Sequence, residues 1–209
     1  MSEKVKRNIT CPKCGNVKET TLLCSVNASS FNEAHKQIFD DTFFEWTCEK
    51  CGETRQLLHP LLYNDIKNRT MVYYIPNVDR RQLVDDRLEA EFPELADVKK
   101  RVVPTINALK EKLYIFDLGL NDMAVELTKL AVAELVTKSQ KINVSEGYLS
   151  SYDEEANSIG FEFFIGEAGK PFLQSTRLEV YKRSLEIVET YFKDAVSYTH
   201  LTLPTKRIV

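Results

Sequence analysis

The sequence has few of the residues that mark disordered or repetitive chains. Its 209 residues include only seven glycines and seven prolines, whereas 43% are hydrophobic. A composition of this kind is typical of a chain that buries one core, or two small ones. The sequence therefore predicts a globular protein, with no low-complexity segment and no internal repeat beyond a paired cysteine motif.

An excess of one charge is also missing. Lys and Arg number 28, and Asp and Glu number 31. Residues 1–81 hold 12 basic and 10 acidic residues, and residues 82–195 hold 14 and 21. Proteins that bind the phosphates of nucleic acid need a basic surface, so the composition does not favour that class.

Long hydrophobic runs are absent. A membrane-spanning helix needs about 20 consecutive apolar residues, and even the segment 127–136 is broken by Lys129 and Glu134. The charged residues 1–7 lack the apolar stretch of a secretory signal. The sequence thus predicts a cytoplasmic protein without a membrane span. In that reducing compartment, paired CxxC motifs are more typical of metal ligands than of disulfides.

Common enzyme motifs are missing too. The chain has no Gly-rich phosphate loop, HExxH helix, GxSxG elbow or Cys/His nucleophile pair. No catalytic residue is therefore predicted. The most distinctive polar pair is Tyr63 with Asp65, which we interpret as structural, with Tyr63 packing on a sheet and Asp65 capping a turn. The alternative is an enzyme with a pocket beside these two residues.

The final segment is predicted to be non-native. Residues 196–209 break from the helical pattern before them, and residues 196–205, read back into codons, resemble a transposase adapter from sequencing libraries. Such a segment is excluded from reasoning about the fold, and His200 is excluded with it as a ligand or base. A disordered tail is the alternative interpretation.

Four of the five cysteines form two copies of one motif, here called a knuckle: two cysteines separated by two residues and followed by glycine. The knuckles are Cys11-Pro-Lys-Cys14-Gly15 and Cys48-Glu-Lys-Cys51-Gly52. Each places two sulfurs in a tight turn, and two such turns supply the four thiolates of a tetrahedral zinc site. Glycine suits the left-handed backbone that these turns often need. The lysine inside each knuckle offsets part of the thiolate charge.

The sequence therefore predicts one structural zinc ion bound by Cys11, Cys14, Cys48 and Cys51. Four thiolates leave no open position for catalysis. An iron–sulfur cluster, a redox dithiol and the absence of a metal remain alternatives. The 33 residues between the knuckles exceed the usual ribbon spacing, and an inserted helix accounts for them.

The other candidate ligands are interpreted as structural residues. Cys24 is predicted to be a small buried residue inside a strand, with a fifth ligand as the alternative. His35 lies on the predicted helix between the knuckles, and His59 precedes Pro60. Both are interpreted as surface or satisfied histidines.

Residues 1–78 are predicted to form a zinc-ribbon-like antiparallel sheet with an inserted helix. Ser30 and Glu33 match a capping box, and Phe31, Ala34 and Ile38 follow at helical spacing. Strands are predicted over 42–47, 53–58 and 71–75 from their aromatic and β-branched residues.

Residues 79–195 are predicted to form a second, helical and β region, which makes the whole an α+β fold. Residues 79–103 are interpreted as a charged helical connector interrupted by Pro93, with the domain boundary at its start. An αα-hairpin follows, its helices beginning at Pro104 and at Asn121. The buried stripe of the second helix is predicted to be Met123, Leu127, Leu130, Ala131 and Leu135.

A small β-meander and a C-terminal helix complete the predicted fold. Strands are expected over 147–152, 159–165 and 172–175, separated by turn residues, and the helix over 176–193.

The knuckles, together with Leu61-Leu-Tyr-Asn-Asp65 and Met71-Val-Tyr-Tyr-Ile-Pro76, resemble the CpXC family of bacterial and archaeal proteins. The resemblance runs from Ile9 to Glu134, because residues 109–122 are similar to the helical part of longer members. The second knuckle lacks the proline of the first, which leaves the ligands untouched. The resemblance implies a zinc-binding module and adds no catalytic residue.

Two functional hypotheses follow besides the enzyme. The first is a zinc-stabilised protein-interaction or regulatory module with an unidentified protein partner. The second is a nucleic-acid-binding zinc ribbon that uses the basic residues near the first knuckle. These residues are Lys4, Lys6, Arg7, Lys13 and Lys18.

Overall fold

The computed structural model describes residues 4–28, 32–76, 98–141, 144–165 and 170–192. Within these ranges the chain has the predicted α+β fold, with helices and several small sheets. It divides into two units between Lys110 and Glu111. The boundary predicted between residues 78 and 79 lies outside the described residues, as does the tail predicted over 196–209.

The first unit is built mostly of strands. In chain order its elements are β1 (Lys4–Thr10), β2 (Val17–Leu23), β3 (Ser25–Asn27), α1 (Asn32–Phe39), β4 (Glu45–Thr47), β5 (Thr54–Gln56), β6 (Leu61–Asp65), β7 (Thr70–Tyr74) and β8 (Lys99–Val103). β1 pairs antiparallel with β2, and β4 pairs antiparallel with β5. Each knuckle lies in the turn of one of these two hairpins.

A four-stranded sheet forms the core of the first unit. Its strand order is β3-β6-β7-β8, with parallel pairing at both ends and antiparallel pairing between β6 and β7. Val26, Tyr63, Val72 and Tyr74 are buried in it. The strand predicted over 71–75 therefore belongs to this mixed sheet and not to the hairpins that carry the cysteines.

Helix α1 presents the predicted apolar face, because Ala34 and Ile38 are both buried. Ser30 and Phe31, which belong to the predicted helix start and capping box, lie outside the described residues.

The prediction of a helical connector over residues 79–103 is wrong for its last residues. Residues 99–103 form strand β8, which pairs with β7 so that Val102 lies opposite Tyr73 and Val103 opposite Tyr74. Lys100 and Arg101 are buried on this strand. The charge pattern favoured a helix, but pairing with a distant strand outweighs a local preference of that kind.

The second unit contains the predicted helices and meander. Its elements are α2 (Ile106–Asp117), within which the division between the units falls, α3 (Asp122–Gln140), β9 (Val144–Asp153), β10 (Ser158–Ile165), β11 (Lys170–Arg177) and α4 (Leu178–Tyr191). The strands form an antiparallel sheet in the order β11-β10-β9. Asn121 caps α3 as predicted, since its Oδ1 accepts from Met123 N at 3.0 Å and Ala124 N at 3.2 Å.

The buried face of α3 differs from the predicted stripe. Met123 is buried, but Leu127 and Leu130 are only partly buried, and Leu135 is 67% exposed. The buried face instead includes charged residues that pair with α2, among them Lys129. Hydrophobic periodicity misplaces a helix face when ion pairs take interior positions.

Within the described ranges, no helix combines the length and the apolar character that crossing a membrane requires.

Candidate metal centre

The sulfur atoms of the four predicted ligands lie in one cluster, all within 4.8 Å of one another. Cys11 Sγ lies 3.6 Å from Cys51 Sγ, and Cys14 Sγ lies 3.7 Å from Cys48 Sγ. Zinc–sulfur bonds of about 2.3 Å in a tetrahedron separate the sulfurs by about 3.8 Å, whereas a disulfide bond measures about 2.05 Å. The cysteines form no disulfide, and the cluster could hold a metal ion.

Both knuckles close with the same pair of backbone hydrogen bonds. They are Gly15 N to Cys11 O at 2.9 Å and Cys11 N to Asn16 O at 2.8 Å, then Gly52 N to Cys48 O at 2.8 Å and Cys48 N to Glu53 O at 2.8 Å. The two turns therefore present their cysteine pairs in the same local geometry.

The knuckle glycines are required by backbone conformation. Gly15 has a φ of 70° and Gly52 a φ of 69°, in the left-handed region where a side chain is costly. A Cβ at either position would meet no heavy atom within 4 Å. Crowding is therefore not the reason for glycine.

The cysteine cluster has an apolar side. Cys11 and Cys48 are 1% exposed and pack with Trp46, while Ile9 and Leu57 cover the same cluster. Cys14 and Cys51 are only partly buried.

Polar contacts join the two hairpins around this centre. Trp46 Nε1 donates to Thr20 Oγ1 at 3.2 Å. Lys13 Nζ lies 3.4 Å from Glu53 Oε2, and Lys18 pairs with Glu49. The hairpins are therefore in contact through side chains as well as through the cysteines.

The thiols differ in acidity. Burial opposes the Cys48 thiolate, but backbone hydrogen bonds from Cys51 and Lys50, with the neighbouring thiols, lower the pKa of Cys48 to about 6. At Cys51 a backbone hydrogen bond from Glu53 favours the thiolate, but burial and the other sulfurs outweigh it and raise the pKa to about 12. Four thiolates this close repel one another, and a bound cation would offset that repulsion.

The other predicted candidates lie outside the cysteine cluster. Cys24 is not inside a strand as predicted: it occupies the single position between β2 and β3 and is partly buried. The His35 ring lies 4.8 Å from that of Phe39. The ring nitrogens of His59 contact backbone oxygens, at 2.8 Å on Leu57 and 3.1 Å on Leu23.

Tyr63 and Asp65 were interpreted as structural residues, and each lies in a position that suits such a role. Tyr63 is 3% exposed on strand β6. Asp65 accepts from the backbone N of Asn68 at 3.1 Å and from its Nδ2 at 2.8 Å, and so closes the turn between β6 and β7.

Trp46 packs beside the cysteines and was not predicted to do so. Its position in the sequence could have predicted this contact: Trp46 lies two residues before Cys48, and strand residues two apart share a face.

Two hairpin turns that bring four free cysteines together define a protein with a four-sulfur site that could hold a metal ion. The family comparison then identifies the group: the model described as CpXC protein matches residues 9–129, and the chain belongs to this family. The match includes all four clustered cysteines. A comparison with curated proteins finds no match, and neither does a comparison with solved structures.

Proposed function

We propose that Cys11, Cys14, Cys48 and Cys51 bind a single zinc ion with a structural role. The observation that carries the proposal is the spacing of the four sulfurs, all within 4.8 Å of one another. Four thiolates around zinc form a closed site, with no position left for a substrate or a reactive water. The ion would hold the two hairpins together, which is a role in folding and not in catalysis.

Metal analysis of protein purified without chelators tests this proposal. We expect one equivalent of zinc per chain, lost in Cys14→Ser and retained in Cys24→Ser, because Cys24 lies outside the cluster. Iron in place of zinc, or a metal-free protein that folds equally well, would contradict it.

We further propose that the chain is a protein-interaction or regulatory module. The outer face of α4 supports this role, since it lines a shallow groove of about 550 Å³. The groove combines apolar side chains, Ile187 and Tyr191, with charged ones of both signs, including Arg183 and Glu186. Tyr191 is 77% exposed. A partner helix with an apolar stripe and flanking charges fits such a surface.

Quantitative affinity purification tests the groove directly. Wild-type protein is compared with Ile187→Glu and with Val17→Ser, a control at an exposed position on β2. We expect a reproducible partner with the wild type and the control, and its loss with Ile187→Glu. Equal recovery with all three proteins would exclude the groove as the interaction surface.

The nucleic-acid alternative has weaker support. Three of its five basic residues pair with acidic neighbours, as Lys6–Glu19 at 2.8 Å, Lys13–Glu53 at 3.4 Å and Lys18–Glu49. These pairs lower the positive potential that phosphate binding needs. Salt-dependent binding of an oligonucleotide at low ionic strength would restore this alternative.

A further inference from the structure

The four clustered cysteines differ in their access to solvent. The first cysteine of each knuckle, Cys11 or Cys48, is 1% exposed and packs with Trp46. The second cysteine of each knuckle, Cys14 or Cys51, is only partly buried. Each knuckle therefore combines one sheltered sulfur with one that a small molecule can reach.

Sheltered and accessible sulfurs are neighbours across the two hairpins. Cys51 Sγ lies 3.6 Å from Cys11 Sγ, and Cys14 Sγ lies 3.7 Å from Cys48 Sγ. A disulfide bond measures about 2.05 Å, so either pair can bond once its sulfurs approach by about 1.6 Å. Each accessible sulfur thus has a sheltered partner on the opposite hairpin.

We propose that the cysteine cluster is a redox switch, in which hydrogen peroxide exchanges the metal ion for two disulfides between the hairpins. These cross-hairpin disulfides are Cys11–Cys51 and Cys14–Cys48. The switch rests on the proposed function, because it regulates the zinc ion assigned to the same cysteines. The hairpins are joined by the ion in the reduced protein and by the disulfides in the oxidised protein.

Oxidation begins at an accessible sulfur. A metal-bound cysteine is a thiolate, and the thiolate is the form that peroxide oxidises. The sulfur of Cys14 or Cys51 attacks one oxygen of hydrogen peroxide, and the O–O bond breaks. A sulfenic acid forms and hydroxide leaves. The sulfur loses two electrons in this step, and the peroxide gains them.

The sheltered cysteine then resolves the sulfenic acid. The thiolate of Cys48 attacks the sulfenic sulfur of Cys14, and Cys11 acts in the same way on Cys51. The new S–S bond replaces the S–O bond, and a second hydroxide leaves. One disulfide removes two of the four ligands, so the zinc ion dissociates. A second peroxide closes the remaining pair by the same steps.

The position of the disulfides decides what happens to the hairpins. A disulfide inside either knuckle would leave the hairpins without a covalent or metal link once the ion had left. A cross-hairpin disulfide replaces that link, so the contact of Trp46 Nε1 with Thr20 Oγ1 at 3.2 Å is retained. Oxidation therefore differs from chelation, which removes the ion and puts nothing in its place.

Disulfide mapping of the zinc-loaded wild-type protein tests the pairing. Trypsin cleaves after Lys13 and Lys50, which lie inside the knuckles, and after Lys18 and Lys36, which lie between them. Each of the four clustered cysteines is therefore released in its own peptide. After peroxide treatment and blocking of the remaining thiols, we expect peptides joined by the two cross-hairpin disulfides. Disulfides within a knuckle, or no disulfide, would overturn the proposal.

Zinc release and tryptophan fluorescence test the exchange in the same protein. A zinc-sensitive dye should report loss of the ion on peroxide treatment, and a thiol reductant with added zinc should restore it. The emission of Trp46 should keep its wavelength after peroxide but move to longer wavelength after chelation. Zinc that stays bound under peroxide, or an emission shift as large as that caused by chelation, would contradict the switch.

Cys24→Ser is the matched control, because it removes the fifth cysteine and keeps the cluster. It should release zinc at the wild-type rate, and slower release would place the oxidation at Cys24 and overturn the proposal. The zinc content before treatment separates the two proposals. Protein without zinc at the start would contradict the structural ion and the switch with it, whereas bound zinc that peroxide does not release would contradict the switch alone.

Discussion

Trp46 donates a hydrogen bond of 3.2 Å from Nε1 to Thr20 Oγ1, which joins the hairpin that carries Cys48 to the hairpin that carries Cys11. Trp46 also packs against both of these cysteines. Because the sequence has a single tryptophan, its fluorescence reports on the candidate metal centre.

Metal removal should unfold the two hairpins. Chelation, or Cys14→Ser, leaves the remaining thiolates without the cation that holds the turns together. We expect the emission of Trp46 to shift to longer wavelength and the thermal transition of the first unit to be lost. Cys24→Ser is the matched control and should melt like the wild type. Identical melting of metal-free and metal-loaded protein would contradict a structural metal.

The contact between the hairpins should be measurable by itself. Thr20→Val keeps the side-chain shape but removes the acceptor for Trp46, and so should cost about 1 kcal/mol. Thr47→Val removes a hydroxyl from the exposed pair with Thr54 and should cost less. Chemical denaturation of the metal-loaded protein compares the free energies of unfolding of the two variants. Equal losses of stability would show that the hydrogen bond of Trp46 contributes no more than the exposed pair does.

Each knuckle glycine should be sensitive to alanine. Gly15→Ala and Gly52→Ala force a side chain into the left-handed region and should each cost about 1 kcal/mol. Gly15→Asn should cost less, because asparagine tolerates that conformation better. Denaturation midpoints of the metal-loaded variants test the order. Alanine and asparagine variants of equal stability would argue against the backbone explanation.

Metal binding should release protons. In the metal-free protein Cys48, with a pKa of about 6, is largely ionised at neutral pH, whereas Cys51, with a pKa of about 12, is protonated. A bound metal needs thiolates, so binding must displace the proton of Cys51. The affinity for the metal should therefore rise with pH as long as the Cys51 thiol is protonated in the metal-free protein. Calorimetry in buffers of different ionisation enthalpy counts the protons. A binding enthalpy that is independent of the buffer would contradict this expectation.

Removing a cation from the buried ion pairs between α2 and α3 should be costly. Lys129→Met leaves Glu111 and Glu126 buried without their shared partner, and breaking a buried pair in this way costs about 3–5 kcal/mol. Lys138→Met removes a cation from an exposed pair with Glu134 and should change stability by less than about 1 kcal/mol. Chemical denaturation compares the two. Similar small effects would show that the buried pairs contribute little.

Local sequence patterns predicted many elements of the fold. The hairpin that carries Cys48, the capped helix at Asn121 and the β-meander each follow from short-range preferences, such as turn residues and alternating strand residues. The strands β1 and β2 of the other hairpin were not predicted. The four clustered cysteines were equally predictable, because CxxC spacing constrains two sulfurs wherever it occurs.

Errors arose where a distant partner decides the structure. Residues 99–103 form a strand because β7 is available to pair with them, and no local pattern contains that information. The buried face of α3 was misplaced because Lys129 enters the interior with Glu111. Charged residues are assigned to the surface unless their partners are known.

The sequence by itself determined the four clustered cysteines of this CpXC family member, because two knuckles of one motif need little beyond their own backbone geometry. Only the tertiary structure decided which residues surround those cysteines, how the strands order into sheets, and that charged residues of α2 and α3 are buried as ion pairs. Those features depend on contacts between residues far apart in the chain, where burial and pairing outweigh local preference.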